Sequence, residues 1–194
     1  MIIGITGNIG SGKSTFSKFA EEHGYPVIKA DDLSKLILQS DQKVKAAVMK
    51  EFGSQAFFND QPNKVFLAGE VFTNPAKLKK LESILHPKVI KEIYRQIKLL
   101  LKNNQIIFVE SALIYEADLE ELFDFVVLVT SDLDLRLNRK IKSGMSKNDF
   151  LLRDSNQIPE DEKKKRADFI FSNNSTIEEL HSKFKLLLLT LGLR

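Results

Sequence analysis

The sequence predicts an α/β fold, a parallel five-stranded sheet flanked by helices on both faces. Three observations predict it. Five short apolar runs, at residues 1–6, 27–28, 106–109, 125–129 and 169–171, have the near-continuous hydrophobicity of strands covered on both sides. Segments with apolar residues at helical spacing separate these runs, and strand–helix alternation builds parallel sheets because each return crossover is helical. A glycine cluster joins the first run to the first helical segment.

Residues 1–6 are rich in β-branched side chains, and the helical pattern that follows carries Phe16, Phe19 and Ala20. His23-Gly24-Tyr25-Pro26 stops that helix, since glycine frees and proline blocks the backbone. Val27-Ile28 begins the second strand, with Asp31 and Asp32 at its exit. From about Leu33 to Asn104 the spacing is helical: Leu33, Leu36 and Ile37, then Val44, Ala47, Val48 and Phe52, then a long stretch from Leu78 to Leu100. A bend is expected at Pro87, which removes a backbone donor. Gly53 to Asn63 is expected to be a connecting turn region. A helical insertion therefore separates the second and third strands. Beyond the fourth, Ser131-Asp132 should cap a helix bearing Leu133, Leu135 and Leu137, and a polar stretch runs from about Asn138 to Arg166. The charge run Glu160 to Arg166 is expected to be a solvated helix face, because neighbouring opposite charges are soluble without a partner. The closing helix, Thr176 to Leu191, should turn Ile177, Leu180, Phe184, Leu187 and Leu188 inward.

A chain of 194 residues suits a single domain with embellishments. Its 43% hydrophobic and 28% charged residues exclude a wholly disordered chain. Lysine and arginine number 29 against 26 acidic residues, a net charge of +3. That balance is too even for a nucleic-acid wrapping surface and leaves small anionic ligands open. The absence of cysteine removes disulfides, thiolate zinc sites and a cysteine nucleophile, and fits a reducing compartment. His23, His86 and His181 are too scattered for a histidine metal cluster. No run approaches the roughly 18 apolar residues of a membrane span. Met1-Ile2-Ile3-Gly4 has no basic segment of the kind that opens a secretory signal, so the expected location is the cytoplasm.

Gly7-Asn8-Ile9-Gly10-Ser11-Gly12-Lys13-Ser14 fits G-x-x-x-x-G-K-[ST] at every fixed position, between a predicted strand and a predicted helix, as this phosphate-binding loop (P-loop) requires. Glycines let successive amides turn inward, and the helix start adds its positive end, making a nest for a β-phosphate. Gly10, Ser11 and Gly12 shape the nest. Lys13 should bridge the β- and γ-phosphates of a nucleoside triphosphate, Ser14 should offer its hydroxyl oxygen to Mg2+, and Thr15 should reach another phosphate. The plain alternative is a glycine-rich turn with a surface lysine.

GTPases, ATP-driven machines and small-molecule kinases share this loop. A GTPase should carry N-K-x-D and D-x-x-G, but Asn63-Lys64-Val65-Phe66 fails at its fourth position and no aspartate has glycine three residues on. A phosphoryl-transfer enzyme needs a group to receive the acceptor's proton and cations to stabilise the transferring charge. Asp31 follows the second strand, and strand C-terminal ends surround the ligand crevice in parallel sheets. Helix-start carboxylates are also common caps, the role expected for Asp32. Arg136, Arg139, Lys140, Lys142, Lys147 and Arg153 gather around Gly144, a composition suited to a hinged, cationic flap, or to an exposed basic helix.

The segments GNIGSGKST, KADDLSK, LHP at 85–87, ESALIYE at 110–116, RLNRK, NQIP and ADFIFSNN follow one another in an order and spacing that resemble the dephospho-CoA kinase family across nearly the whole chain. The resemblance implies ATP-dependent phosphorylation of the ribose 3′-hydroxyl of dephospho-coenzyme A, with magnesium. It implies a P-loop kinase core, a helical acceptor-binding insertion at about 33–104 and a lid at about 138–157. Asp31 falls on the second aspartate of the family's D-A-D-x-x-A-R signature, which implies a general base, while Lys29, Ser34 and Lys35 replace three of its other positions. Lys64, His86 and Glu110 are implied at the acceptor, and Glu110 equally at magnesium-bound water. Glu110 and Ala112 stand where relatives carry aspartate and proline. Arg139 corresponds to the lid arginine that grips ATP phosphates, and Asn173 to the asparagine near the adenine. Gln157 and Pro159 match the family's Q-x-P. The readings left beside this one are another P-loop nucleoside or nucleotide kinase, and a nucleotide-binding regulator without transfer chemistry.

Overall fold

The computed structural model describes residues 1–72 and 74–193. Along the chain run β1 (Ile2–Thr6), α1 (Lys13–Glu22), β2 (Val27–Lys29), α2 (Ala30–Ser40), α3 (Gln42–Phe52), β3 (Phe57–Phe58), β4 (Gln61–Pro62), α4 (Lys64–Phe72) and α5 (Pro75–Leu100). There follow β5 (Ile107–Glu110), β6 (Phe125–Thr130), α6 (Leu133–Lys142), α7 (Lys147–Ser155), α8 (Glu160–Arg166), β7 (Phe169–Ser172) and α9 (Ile177–Thr190). These elements form two compact units, Met1–Ile28 with Leu100–Arg194, and Lys29–Leu99.

The first unit is built on the five-stranded sheet, in the order β2-β5-β1-β6-β7. β1 pairs in parallel with β5 and β6, and β6 in parallel with β7. Ile3 and Ile5 of β1, Phe108 of β5 and Val127 and Val129 of β6 share one core with Phe16, Phe19 and Ala20 of α1 and Leu180, Phe184, Leu187 and Leu188 of α9. On the opposite face Gly4 lies so close to Ile114 and Phe123 that a Cβ would sit 2.8 Å from Ile114 Cδ1. Both faces of the central strands are thus covered, which is why their sequences are apolar without alternation. The strand order reverses about β1, and such a reversal opens a ligand crevice at the strand's C-terminal end. The P-loop begins there.

Ile177 departs from expectation: it is 56% exposed, because the buried stripe of α9 begins one turn later at Leu180. Asp132 stands at the N-cap of α6, but its side chain makes no capping bond. Its carboxylate accepts instead from Asn174 Nδ2 at 2.8 Å, while its own N–H donates to Asn174 Oδ1 at 2.9 Å. The charge run is helix α8, yet Lys163 within it is fully buried.

The second unit has its own core of Val44, Val48, Phe52, Ala56, Phe57, Leu67, Val71 and Leu85. The expected turn region at 53–63 contains the hairpin β3–β4. Asn59 and Asp60 adopt φ of 47° and 68°, the left-handed pair that a two-residue hairpin turn requires and that these two residue types tolerate. α5 continues through Pro87 as one helix. Leu85, Val89, Ile93 and Ile97 are buried on both sides of the proline, so packing holds a helix that local propensity would interrupt. No helix among the described residues is long and apolar enough to cross a membrane.

Also on α5, Glu92 accepts from Arg95 Nε and Nη2 at 2.8 and 2.7 Å and from Gln96 at 2.9 Å. The Arg95 bonds above all pull its carboxyl down to about 2. A carboxyl lowered from 4.5 stabilises the fold above pH 4.5 and loses that contribution as pH falls toward 2. Glu92→Gln is therefore expected to lower the melting temperature slightly at pH 7, Arg95 being exposed, and to leave it unchanged near pH 2. Thermal melts across that range check the sign.

Candidate active site

Where β1 ends at Thr6, the chain turns through Gly7 to Gly12 into α1. Gly12 is the N-cap of α1, at φ 103°. The first helical bonds run from Thr15 and Phe16 N–H to Gly12 O, both 3.0 Å. The amides of Lys13 and Ser14 precede those bonds and open at the helix start, where the helix dipole is positive. A Cβ on Gly12 would lie 2.1 Å from Asn173 Nδ2. Gly12→Ala is thus expected to cost more than about 1 kcal/mol from backbone strain alone and to weaken ATP binding, read by denaturant titration and calorimetry.

The carbonyls of three consecutive loop residues are each held by a side chain from the C-terminal third of the chain. Arg136 Nη1 donates to Ile9 O at 3.2 Å, Arg139 Nη1 to Gly10 O at 3.3 Å, and Asn173 Nδ2 to Ser11 O at 2.8 Å. These bonds pin the loop from behind; the Ser11 N–H is also taken, by Asn8 O at 3.0 Å, which leaves the amides at the start of α1 to face a ligand. The holders are themselves fixed. Arg136 is buried, donates to Ser131 O at 3.0 Å and pairs with Asp154 at 2.5 Å. Arg139 also donates to Ser131 Oγ at 3.0 Å and to Asn173 O at 2.7 Å. From the segment after α7, Gln157 Oε1 accepts from Ile9 N–H at 2.7 Å, and Ile158 O accepts from Asn8 Nδ2 at 3.4 Å.

Glu110, the last residue of β5, is buried beneath the start of α1. Its Oε1 accepts from Ser14 Oγ at 2.5 Å and its Oε2 from Ser17 Oγ at 2.7 Å. A strand-end carboxylate beside the P-loop hydroxyl offers hard oxygen donors, and magnesium uses few protein ligands while retaining water. The donor set fits that ion. Thr6 Oγ1 and Ser11 Oγ, also buried here, have no protein hydrogen-bond partner.

The sheet unit therefore gathers Gly10, Ser11, Gly12, Lys13, Ser14, Thr15, Glu110, Arg139 and Asn173. The other predicted site residues lie in the helical unit, on three separate helices. Asp31 is the second residue of α2 and exposed; Asp32, beside it, accepts from Lys35 Nζ at 2.8 Å, and this bond lowers its pKa. Lys64 opens α4 and is exposed, while His86 is half-buried in α5. Sequence reasoning assigned no part to Ser17, gave Ser131 only a helix-capping part, and placed Arg136 among the cations of a flap or basic helix. Arg136 and Arg139 as holders of carbonyls had one available signal, their spacing of three on a helix that follows the fourth strand.

The sequence profile of the dephospho-CoA kinase family matches residues 1–179. The chain belongs to the dephospho-CoA kinase family. A dephospho-CoA kinase of Lactobacillus johnsonii is 34% identical over 193 residues, covering 98% of each chain. A Thermus thermophilus crystal structure superposes with a TM-score of 0.81 at 33% identity, covering 98% of this chain and 97% of that one. The structure of dephospho-CoA kinase from Campylobacter jejuni gives 0.73 at 27% identity, covering 98% and 96%. The family's enzymes are transferases, and their reaction is the last step of coenzyme A biosynthesis. Kinase chemistry brings ATP as the phosphoryl donor.

Proposed function

We propose that this protein transfers the γ-phosphoryl group of ATP directly to the ribose 3′-hydroxyl of dephospho-coenzyme A, releasing coenzyme A and ADP. The observation that carries the reading is the P-loop whose carbonyls at 9, 10 and 11 are tied back and which opens into α1 at Lys13, so that the amides at the helix start and Lys13 are arranged for a polyphosphate. Binding the β- and γ-phosphates there orients the γ-phosphorus for in-line attack. Asp31 takes the proton of the acceptor hydroxyl, and its site immediately after β2 suits that role. Lys13 stabilises charge on the transferring oxygens, Arg139 adds its positive charge from where it holds Gly10 O, and Asn173 borders the adenine.

Ser14 and Glu110 would hold Mg2+, Glu110 through bound water. When bound, the ion would supply positive charge to offset that of the phosphate oxygens. The protein's own part there is to keep Glu110 aimed, which its two serine donors do. Residues 33–104 carry the acceptor site, with Lys64 and His86 contributing, and residues 138–157 form a lid that excludes water. The reaction is placed in the cytoplasm.

The test is acceptor selectivity. Purified protein with ATP and magnesium is offered dephospho-coenzyme A, nucleosides and nucleoside monophosphates in parallel, with ADP and phosphorylated product both quantified. Turnover confined to dephospho-coenzyme A supports the reading. Preference for a nucleoside or nucleotide, or ATP binding with no transfer to any acceptor, rejects it.

A further inference from the structure

The charge run of α8 hides a lysine with no place in the chemistry above. Lys163 is fully buried, and its ammonium pairs with Glu116 Oε1 at 2.7 Å and donates to Ala112 O at 3.3 Å. The other oxygen of Glu116, Oε2, is buried without a hydrogen-bond partner. A buried ion pair is a poor source of stability, since well-packed apolar side chains of the same volume often do as well or better. Something other than stability accounts for it better.

The remaining hydrogen bonds of the pair all go to backbone. Lys163 holds Ala112 in the turn after β5. Glu116 Oε1 accepts from Ile158 N–H at 3.0 Å. Ile158 is the residue whose carbonyl takes the Asn8 side chain, and its neighbour Gln157 takes the Ile9 amide. A continuous path therefore runs from the buried pair through residues 157–158 to the first half of the P-loop. The Ile158 side chain packs with Ile114 and Tyr115, which leaves this segment little room to shift. Burial lowers the pKa of Lys163, Glu116 opposes that shift, and the charge of Lys13 adds to it, so the two ammonium groups sense one another.

We propose that Glu116 and Lys163 are positioning residues for the phosphate cradle, a buried strut that fixes Gln157 and Ile158 and through them sets the Asn8–Ile9 backbone. Neither touches the reacting atoms. The inference rests on the reading of the P-loop as the ATP site.

The test separates position from stability. In the double variant Glu116→Gln/Lys163→Met no charge is left buried and unpaired, so it is expected to melt close to the wild type. Its ADP affinity, measured by calorimetry with magnesium, is expected to fall about tenfold, and KM for ATP to rise in proportion, while KM for dephospho-coenzyme A stays within about twofold. Gln157→Leu, which breaks only the last link, is expected to give a similar loss, and the triple variant no further one. A folded double variant with wild-type ADP affinity overturns the strut. Should that variant not fold, unaltered ADP affinity in Gln157→Leu overturns it equally. Wild-type protein that binds no ADP or ATP brings down the P-loop reading itself, a failure distinct from either variant's.

Discussion

Replacing Asp31 with asparagine is expected to slow phosphoryl transfer by about a hundredfold to ten-thousandfold, the range that general-base assistance contributes. Asparagine keeps the size and most of the hydrogen-bonding capacity of the side chain but cannot accept the proton of the acceptor hydroxyl. The substitution removes one exposed carboxylate from the first turn of α2, where a negative charge is worth under about 1 kcal/mol. The fold should persist, and ATP affinity should be unchanged because Asp31 is not part of the P-loop. Single-turnover transfer with both substrates saturating, beside calorimetric ATP binding, checks both halves. Wild-type turnover in Asp31→Asn would remove Asp31 from the chemistry.

Lys13→Ala is expected to weaken ATP binding and also to lower kcat, by about a hundredfold to a thousandfold, as loss of one preorganised donor to transition-state charge does elsewhere. The two effects belong together because, in the proposed reaction, Lys13 meets phosphate oxygens in both ground and transition states. Lys13→Arg should recover little: the planar guanidinium is longer and wider than an ammonium in a nest closed by Gly10 and Gly12. Normal ATP-dependent product formation by Lys13→Ala would defeat the P-loop assignment.

Much of this molecule is legible in its sequence, and the unread parts share a cause. The strands announce themselves because both faces of the central ones are covered, leaving uninterrupted apolar runs such as Phe125 to Val129. The P-loop is legible because its backbone demands glycine at fixed spacing. The two-residue strands β3 and β4 are too short to set a period, and only the Asn59-Asp60 pair hints at their turn. Periodicity also cannot report long-range side-chain-to-backbone bonds. Asn173 reaches Ser11 across 162 positions and Gln157 reaches Ile9 across 148, and nothing local to either residue signals the contact. Lys163 misleads for a related reason. A charged heptapeptide looks solvated, and only the placement of Glu116 47 positions earlier allows one of its lysines to be buried. Motif resemblance pointed to Gln157 and Glu116 without indicating what either holds.

The most direct measurement uses ATP whose γ-phosphoryl group carries 18O in its three terminal oxygens, given to the protein with magnesium and dephospho-coenzyme A, the products being resolved by mass spectrometry and 31P NMR. Direct transfer predicts coenzyme A whose new phosphate is on the ribose 3′ position and retains all the label, formed in equal amount to unlabelled ADP. Label recovered as free phosphate, or a labelled phosphate attached at any position other than the ribose 3′-oxygen, would contradict it.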